Sequence, residues 1–275
     1  MTVVPDAFRL AAVTLVAALG SMVNSIAGGG TLLTFPALIA LGVPPIVANA
    51  TNTVALWPGA LGSMLGYRGR MGGLRMWAAV FAVPSLLGGA VGAWLLLVTS
   101  ADRFARIVPW LVLGATALFA LQQPLMRLIR GATGTLPPPP RAGTAAGATP
   151  ADEHPHLSVG ALVAQCFVGI YGGYFGAGIG ILMLAVLGFM GLSDIHRMNG
   201  MKNWGGLCIN FVAAIIFAAS GLVDWAVAIA MAVGATVGGY YASRAAQRVP
   251  QTMVRRAIVA IGVGSGIWLY WARLS

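Results

Sequence analysis

The chain has 275 residues, 59% of them apolar and only 8% charged, with a mean hydropathy of +0.87. Soluble domains carry about 25% charged residues, so an aqueous globule is excluded and the bilayer must act as solvent. The net charge of +10 does not point to nucleic acid, because the sixteen Lys and Arg stand singly or in small groups between apolar runs instead of forming one basic stripe.

The first half reads as apolar segments near 8–26, 31–42, 46–66, 76–98 and 104–128. Only Asp6 and Arg9 bear charge ahead of the first run, without a basic leader or a small-residue cleavage site, so 8–26 is read as a retained helix. The second half gives 158–175, 179–191, 204–221, 223–243 and 254–273. A full crossing takes about 20 residues at ~1.5 Å each. The stretches 31–42 and 179–191 fall short, and each starts at a glycine cluster: Gly28-Gly29-Gly30 and Gly176-Ala177-Gly178-Ile179-Gly180. They are read as half-helices after a broken backbone, a feature tolerated at membrane depth only when buried in protein or lining a watery cavity.

The halves say the same thing twice. Each glycine cluster is followed by an apolar run, a glycine turn (Gly42, Gly191) and an Asn-containing segment, Ala48 to Asn52 and Asn199 to Asn203. Each half then shows a Gly-Gly helix (Gly88-Gly89, Gly238-Gly239) and an apolar helix after an arginine (Arg106, Arg256). The expected fold class is an all-α polytopic membrane protein of two repeats, each of four to five segments, eight to ten in total. Residues 1–130 form the first repeat, 131–156 a disordered Pro/Gly-rich linker, and 157–275 the second repeat. Loops 67–75 and 127–141 are Arg-rich while 99–106 is mixed; in the second half 244–256 is Arg-rich and 221–224 carries only Asp224. By the positive-inside rule equivalent loops then lie on opposite sides, which makes the repeats inverted, the linker cytoplasmic and both termini outside.

The glycine clusters do not fit a dinucleotide or P-loop fingerprint: no GK[ST] follows and no acid stands at the required distance. They serve either close helix packing or a half-helix N-terminus whose exposed N–H groups and partial positive charge suit an anion. Thr51-Asn52 and Lys202-Asn203 sit at matching places after the two clusters, at the start of the next apolar helix, where they either cap that helix or bind substrate. Lys202 has the wrong sign for a helix start, and burying it costs roughly 2.5–3.5 kcal/mol. It either snorkels to the interface or pairs with a bound anion. All six acids (Asp6, Asp102, Asp152, Glu153, Asp194, Asp224) fall in loops or at segment ends, so the carboxylate relay of a cation or proton pump is not visible. Asn24 and Asn210, inside apolar runs, are read as interhelical hydrogen-bond partners in preference to substrate contacts.

The candidate substrate-binding set is therefore Gly28, Gly29, Gly30, Thr51, Asn52, Gly176, Gly178, Lys202 and Asn203. No cofactor and no metal is expected. Cys166 and Cys208 lack metal or disulfide spacing, and Asp152, Glu153, His154 and His156 belong to the linker, where a solvated loop is the plainer reading. The remaining His196 has no acid at depth, which argues against an enzyme.

The stretch AGGGTLLTFPALIALGVPPIVANATN, with the Trp57-Pro58-Gly59 and Gly66-Tyr67-Arg68 elements after it, resembles the TauE/SafE sulfite exporter family of bacterial membrane proteins. The stretch GIYGGYFGAGIGILMLAVLGFMGLSDIHRMNGMKNW, followed by Gly221 and Trp225, resembles that family's second repeat. The likeness covers nearly all of the chain except the linker, whose length is a departure. It implies a secondary transporter in the bacterial inner membrane, with a small anion such as sulfite or an organosulfonate as substrate. A passive anion channel and a structural or assembly subunit are the alternatives. The oligomeric state is not legible.

Overall fold

The computed structural model describes residues 7–26, 28–67, 75–132, 158–192, 195–245 and 251–272. Among them are ten α-helices and no strand: α1 (Ala7–Ile26), α2 (Thr31–Ala40), α3 (Pro45–Tyr67), α4 (Arg75–Val98), α5 (Ala101–Ala132), α6 (Val159–Tyr174), α7 (Ile179–Phe189), α8 (Ile195–Ser220), α9 (Trp225–Ala245) and α10 (Gln251–Trp271). Helices suit the solvent, since in lipid every backbone N–H and C=O must find a protein partner, and a continuous apolar segment can satisfy its own only as a helix. Among the described residues, four stretches are long and apolar enough to cross a bilayer: Ala7–Asn24, Met76–Val98, Ala101–Gln122 and Arg197–Ser220. Large side chains such as Trp94, Phe167, Ile229 and Trp271 face outward, an arrangement that lipid favours and water would penalise.

The helix bounds depart from the apolar segments in two places. Residues 104–128 lie within α5, which spans 32 residues from Ala101. More consequentially, α8 begins at Ile195, well ahead of the apolar run at 204. The polar residues Arg197, Asn199, Lys202 and Asn203 interrupt the apolar pattern at the start of this helix; Lys202 and Asn203 line a cavity and not lipid, and Arg197 is buried as well. Thr51 and Asn52 likewise sit inside α3, so none of the four polar residues caps a helix start. Gly131 and Ala132 end α5; the rest of the expected linker, with Asp152, Glu153, His154 and His156, lies outside the described residues, as do Asp6 and Asp194.

Helices of one half pack mainly on helices of the other. α1 lies along α9, α4 along α6, α3 against both α8 and α9, α4 against α8, and α5 against α10. Small residues set these contacts. A Cβ on Gly234 or Gly238 of α9 would land on the carbonyl oxygens of Thr14 and Ala18 of α1. A Cβ on Gly88 or Gly92 of α4 would land on those of Cys166 and Ile170 of α6. Backbones this close gain dispersion contacts along their whole length, which replaces the hydrophobic drive that lipid does not supply. The Thr14 hydroxyl adds a polar tie, 3.1 Å from the Ala230 carbonyl oxygen.

The short helices α2 and α7 sit inside this frame. α2 touches α1, α3, α5 and α10; α7 touches α5, α6 and α8. α5 backs both glycine breaks with one face: Phe119 leaves no room for a Cβ on Gly29, and Ala115 stands 3.6 Å from where a Gly178 Cβ would be. The Phe35 ring of α2 meets Phe175 edge-on at 5.2 Å, locking the first half-helix to the second break.

Candidate functional site

Both breaks depend on backbone that only glycine adopts comfortably. Gly28 has φ +80°, and Gly178, at the N-terminus of α7, has φ +79°; an L-residue there costs about 1–2 kcal/mol. The second break is tied down by the Tyr171 hydroxyl, which donates to the Ala177 carbonyl at 2.7 Å, and by Asn49 Nδ2, which donates to the Tyr174 carbonyl at 2.9 Å. Neither α2 nor α7 has a side-chain hydrogen bond closing its N-terminus; instead the Leu32, Leu33 and Thr34 N–H groups donate back to the Gly29 and Gly30 carbonyls, and those of Ile179 and Ile181 to Gly176 and Gly178, so backbone takes up much of the first-turn donor capacity.

Where the two breaks meet lies a cavity of about 70 Å³. Water needs ~10–15 Å³ by this measure, so the space suits roughly five to seven waters or one compact ligand. Gly28, Asn52, Gly176, Gly178, Lys202 and Asn203 line it. Six of the nine residues singled out from the sequence thus converge on one wall, although they come from opposite halves of the chain.

Lys202 joins the two breaks. Its Cδ lies 3.1 Å from where a Gly180 Cβ would stand, and its Nζ lies 3.7 Å from the equivalent point at Gly28. The stem therefore runs across the start of α7, and the ammonium reaches the α1–α2 break. The side chain is 6% exposed and has no ion pair or hydrogen bond among the described residues, so Lys202 does not snorkel to an interface. Of the described acids, Asp102 is in the first turn of α5, and Asp224 accepts the Val227 N–H at 3.2 Å at the start of α9. Asn52 Oδ1 and Asn203 Nδ2 are also buried without partners. Each such atom costs about 1–3 kcal/mol unless something enters to pair with it.

The other three expected residues serve the frame. Gly29 and Gly30 give room to Phe119 and to the Gly20 carbonyl of α1. Thr51 is fully buried, and its Oγ1 accepts the Asp224 N–H at 3.0 Å, which holds the start of α9 against α3. Conversely, Asn24, Thr31, Thr53 and Asn210 stand on the cavity wall. Asn24 and Asn210, read from the sequence as bridges between helices, have no interhelical hydrogen bond among the described residues. Asn203, Gly206 and Asn210 all line the cavity at i, i+3, i+7 spacing on α8, one helical face; that periodicity was the available signal.

A cavity walled by amides, hydroxyls, glycine backbone and one buried ammonium, inside a bundle whose outer surface is apolar, defines a multi-pass membrane transporter. The chain matches the sulfite exporter TauE/SafE family over residues 13–269 and belongs to it. It is 28% identical over 247 residues to a "Probable membrane transporter protein" of Haemophilus influenzae, covering 87% of this chain and 86% of that one. It is 27% identical to "Probable membrane transporter protein ORF9" of a Sinorhizobium species, covering 96% and 93%. It is 28% identical to "Probable membrane transporter protein YfcA" of Escherichia coli K12, covering 90% and 84%. No solved structure matches the chain.

Proposed function

We propose that the chain is a secondary transporter that exports a small anion, sulfite or a small organosulfonate, across the inner membrane of a bacterium. The observation that carries the reading is Lys202: a buried ammonium with no carboxylate partner among the described residues, facing a cavity large enough for one compact oxyanion. A bound anion supplies the missing countercharge, and the Asn203 amide nitrogen with the Thr31 and Thr53 hydroxyls on the wall offers neutral donors near it. The family's description as sulfite exporters agrees with this chemistry.

The architecture belongs to the same reading as two inverted repeats, α1–α5 and α6–α10, around the cavity. The exchanged partners support it: Gly238 of α9 meets Ala18 of α1, while Gly88 of α4 meets Cys166 of α6. Ala18 and Cys166 each precede their own positive-φ glycine, Gly28 and Gly176, by ten residues. Repeat-related helices that rock around a fixed midplane site are the usual basis of alternating access.

The test is reconstitution of this chain alone into liposomes loaded with sulfite or methanesulfonate. Efflux that depends on the protein supports the transporter; no flux of any small anion refutes it in favour of an assembly subunit. Anion accumulation against its gradient on an imposed pH step separates coupled transport from a passive channel. Cysteines introduced at Gly73 and Ser220 label from opposite sides if the repeats are inverted, and from the same side if they are not.

A further inference from the structure

We propose that the cavity selects by charge: it holds monovalent oxyanions and rejects divalent ones of the same shape, with Lys202 setting the limit. This rests on the anion reading above and narrows its substrate class to sulfonates and singly charged oxyanions. The first observation is the charge inventory. Lys202 is the one ionisable side chain on the cavity wall among the described residues. The remaining polar wall consists of Asn24, Thr31, Asn52, Thr53, Asn203 and Asn210, all neutral. The other buried cation of α8, Arg197, is not part of the wall.

The second observation is size. In about 70 Å³ an oxyanion of four or five heavy atoms leaves almost all of its hydration shell behind. The cost of removing that water rises with the square of the ion's charge, while the attraction to one ammonium rises only in proportion to it. From a monoanion to a dianion the penalty quadruples and the attraction doubles. The starts of α2 and α7 do not change this balance. Their attraction is also linear in charge, and each carries its opposite partial charge on the same short helix, about 15 Å away. A monoanion brings the formal charge of the loaded site to zero; a dianion leaves one buried negative charge uncompensated.

Methanesulfonate and sulfate make the comparison, because both are tetrahedral at sulfur with five heavy atoms and differ by one charge. Binding of radiolabelled methanesulfonate to the purified full chain is competed with each unlabelled salt at constant ionic strength near neutral pH. Sulfate is expected to displace the label at least about tenfold less effectively than methanesulfonate does. Lys202→Met, checked for folding by its chromatographic profile and melt, is expected to lose binding of the label. Equal potency of sulfate overturns charge selection and leaves the anion reading standing. A folded Lys202→Met chain that keeps wild-type binding removes Lys202 from the role and overturns the proposal. If neither methanesulfonate nor sulfite binds the wild-type chain, the anion reading falls and this inference falls with it.

Discussion

Replacing Lys202 by methionine should make the protein more stable and functionless at once. The two side chains have similar length, so methionine fills the path across Gly180 without opening a void. What disappears is a charge that is 6% exposed and lacks a protein partner among the described residues. A lysine at the centre of a bilayer costs about 2.5–3.5 kcal/mol on insertion scales. Because the ammonium faces a cavity able to hold several waters, part of that cost is already relieved. The expected gain is ~1–2 kcal/mol in the ligand-free protein, read as a melting temperature a few degrees higher in detergent. Flux of sulfite and methanesulfonate from proteoliposomes should meanwhile fall to the protein-free background. Stability and activity moving in opposite directions is the mark of a residue held for function against a structural cost. A lower melting temperature for Lys202→Met would mean that the ammonium braces the fold, and retained flux would mean that it does not touch the substrate; either result refutes the reasoning.

Gly180→Ala adds a methyl 3.1 Å from Lys202 Cδ at an ordinary helical position; it should weaken methanesulfonate binding roughly tenfold while moving the melt by less than about 1 kcal/mol, as measured by label binding and thermal unfolding. Gly238→Val drives a side chain into the Ala18 carbonyl at the α1–α9 contact and should cost more than about 3 kcal/mol, whereas Gly114→Ala on α5, with open space around it, should be neutral or stabilising by up to about 1 kcal/mol; yields of monodisperse protein and melting curves compare them. Sulfite or methanesulfonate at about a hundred times its Kd should add roughly 2.7 kcal/mol of apparent stability, and divalent cations should add none; a melt that responds to the cation alone would place a different ligand in the cavity.

Much of this protein is determined by its sequence taken alone. Continuous apolar runs of this length call for helices, since a membrane barrel would need strands of alternating polarity, and the glycine clusters at 28–30 and 176–180 mark where α2 and α7 begin, because a backbone that must turn with φ near +80° carries its residue type openly. The scarcity of acids and the isolation of Lys202 are equally legible, since both are statements about composition and not about contact. Whether Lys202 snorkels or is buried was decided only by tertiary structure, which buries it between the Gly180 and Gly28 breaks. So was the division of labour among neighbours. Gly28 faces the cavity while Gly29 and Gly30 serve packing; Asn52 faces it while Thr51 holds α9. Adjacent residues on a helix point about 100° apart, and no property of the residues says which direction is inward. That depends on where the second half of the chain lies, and the contacts that decide it join residues from opposite halves.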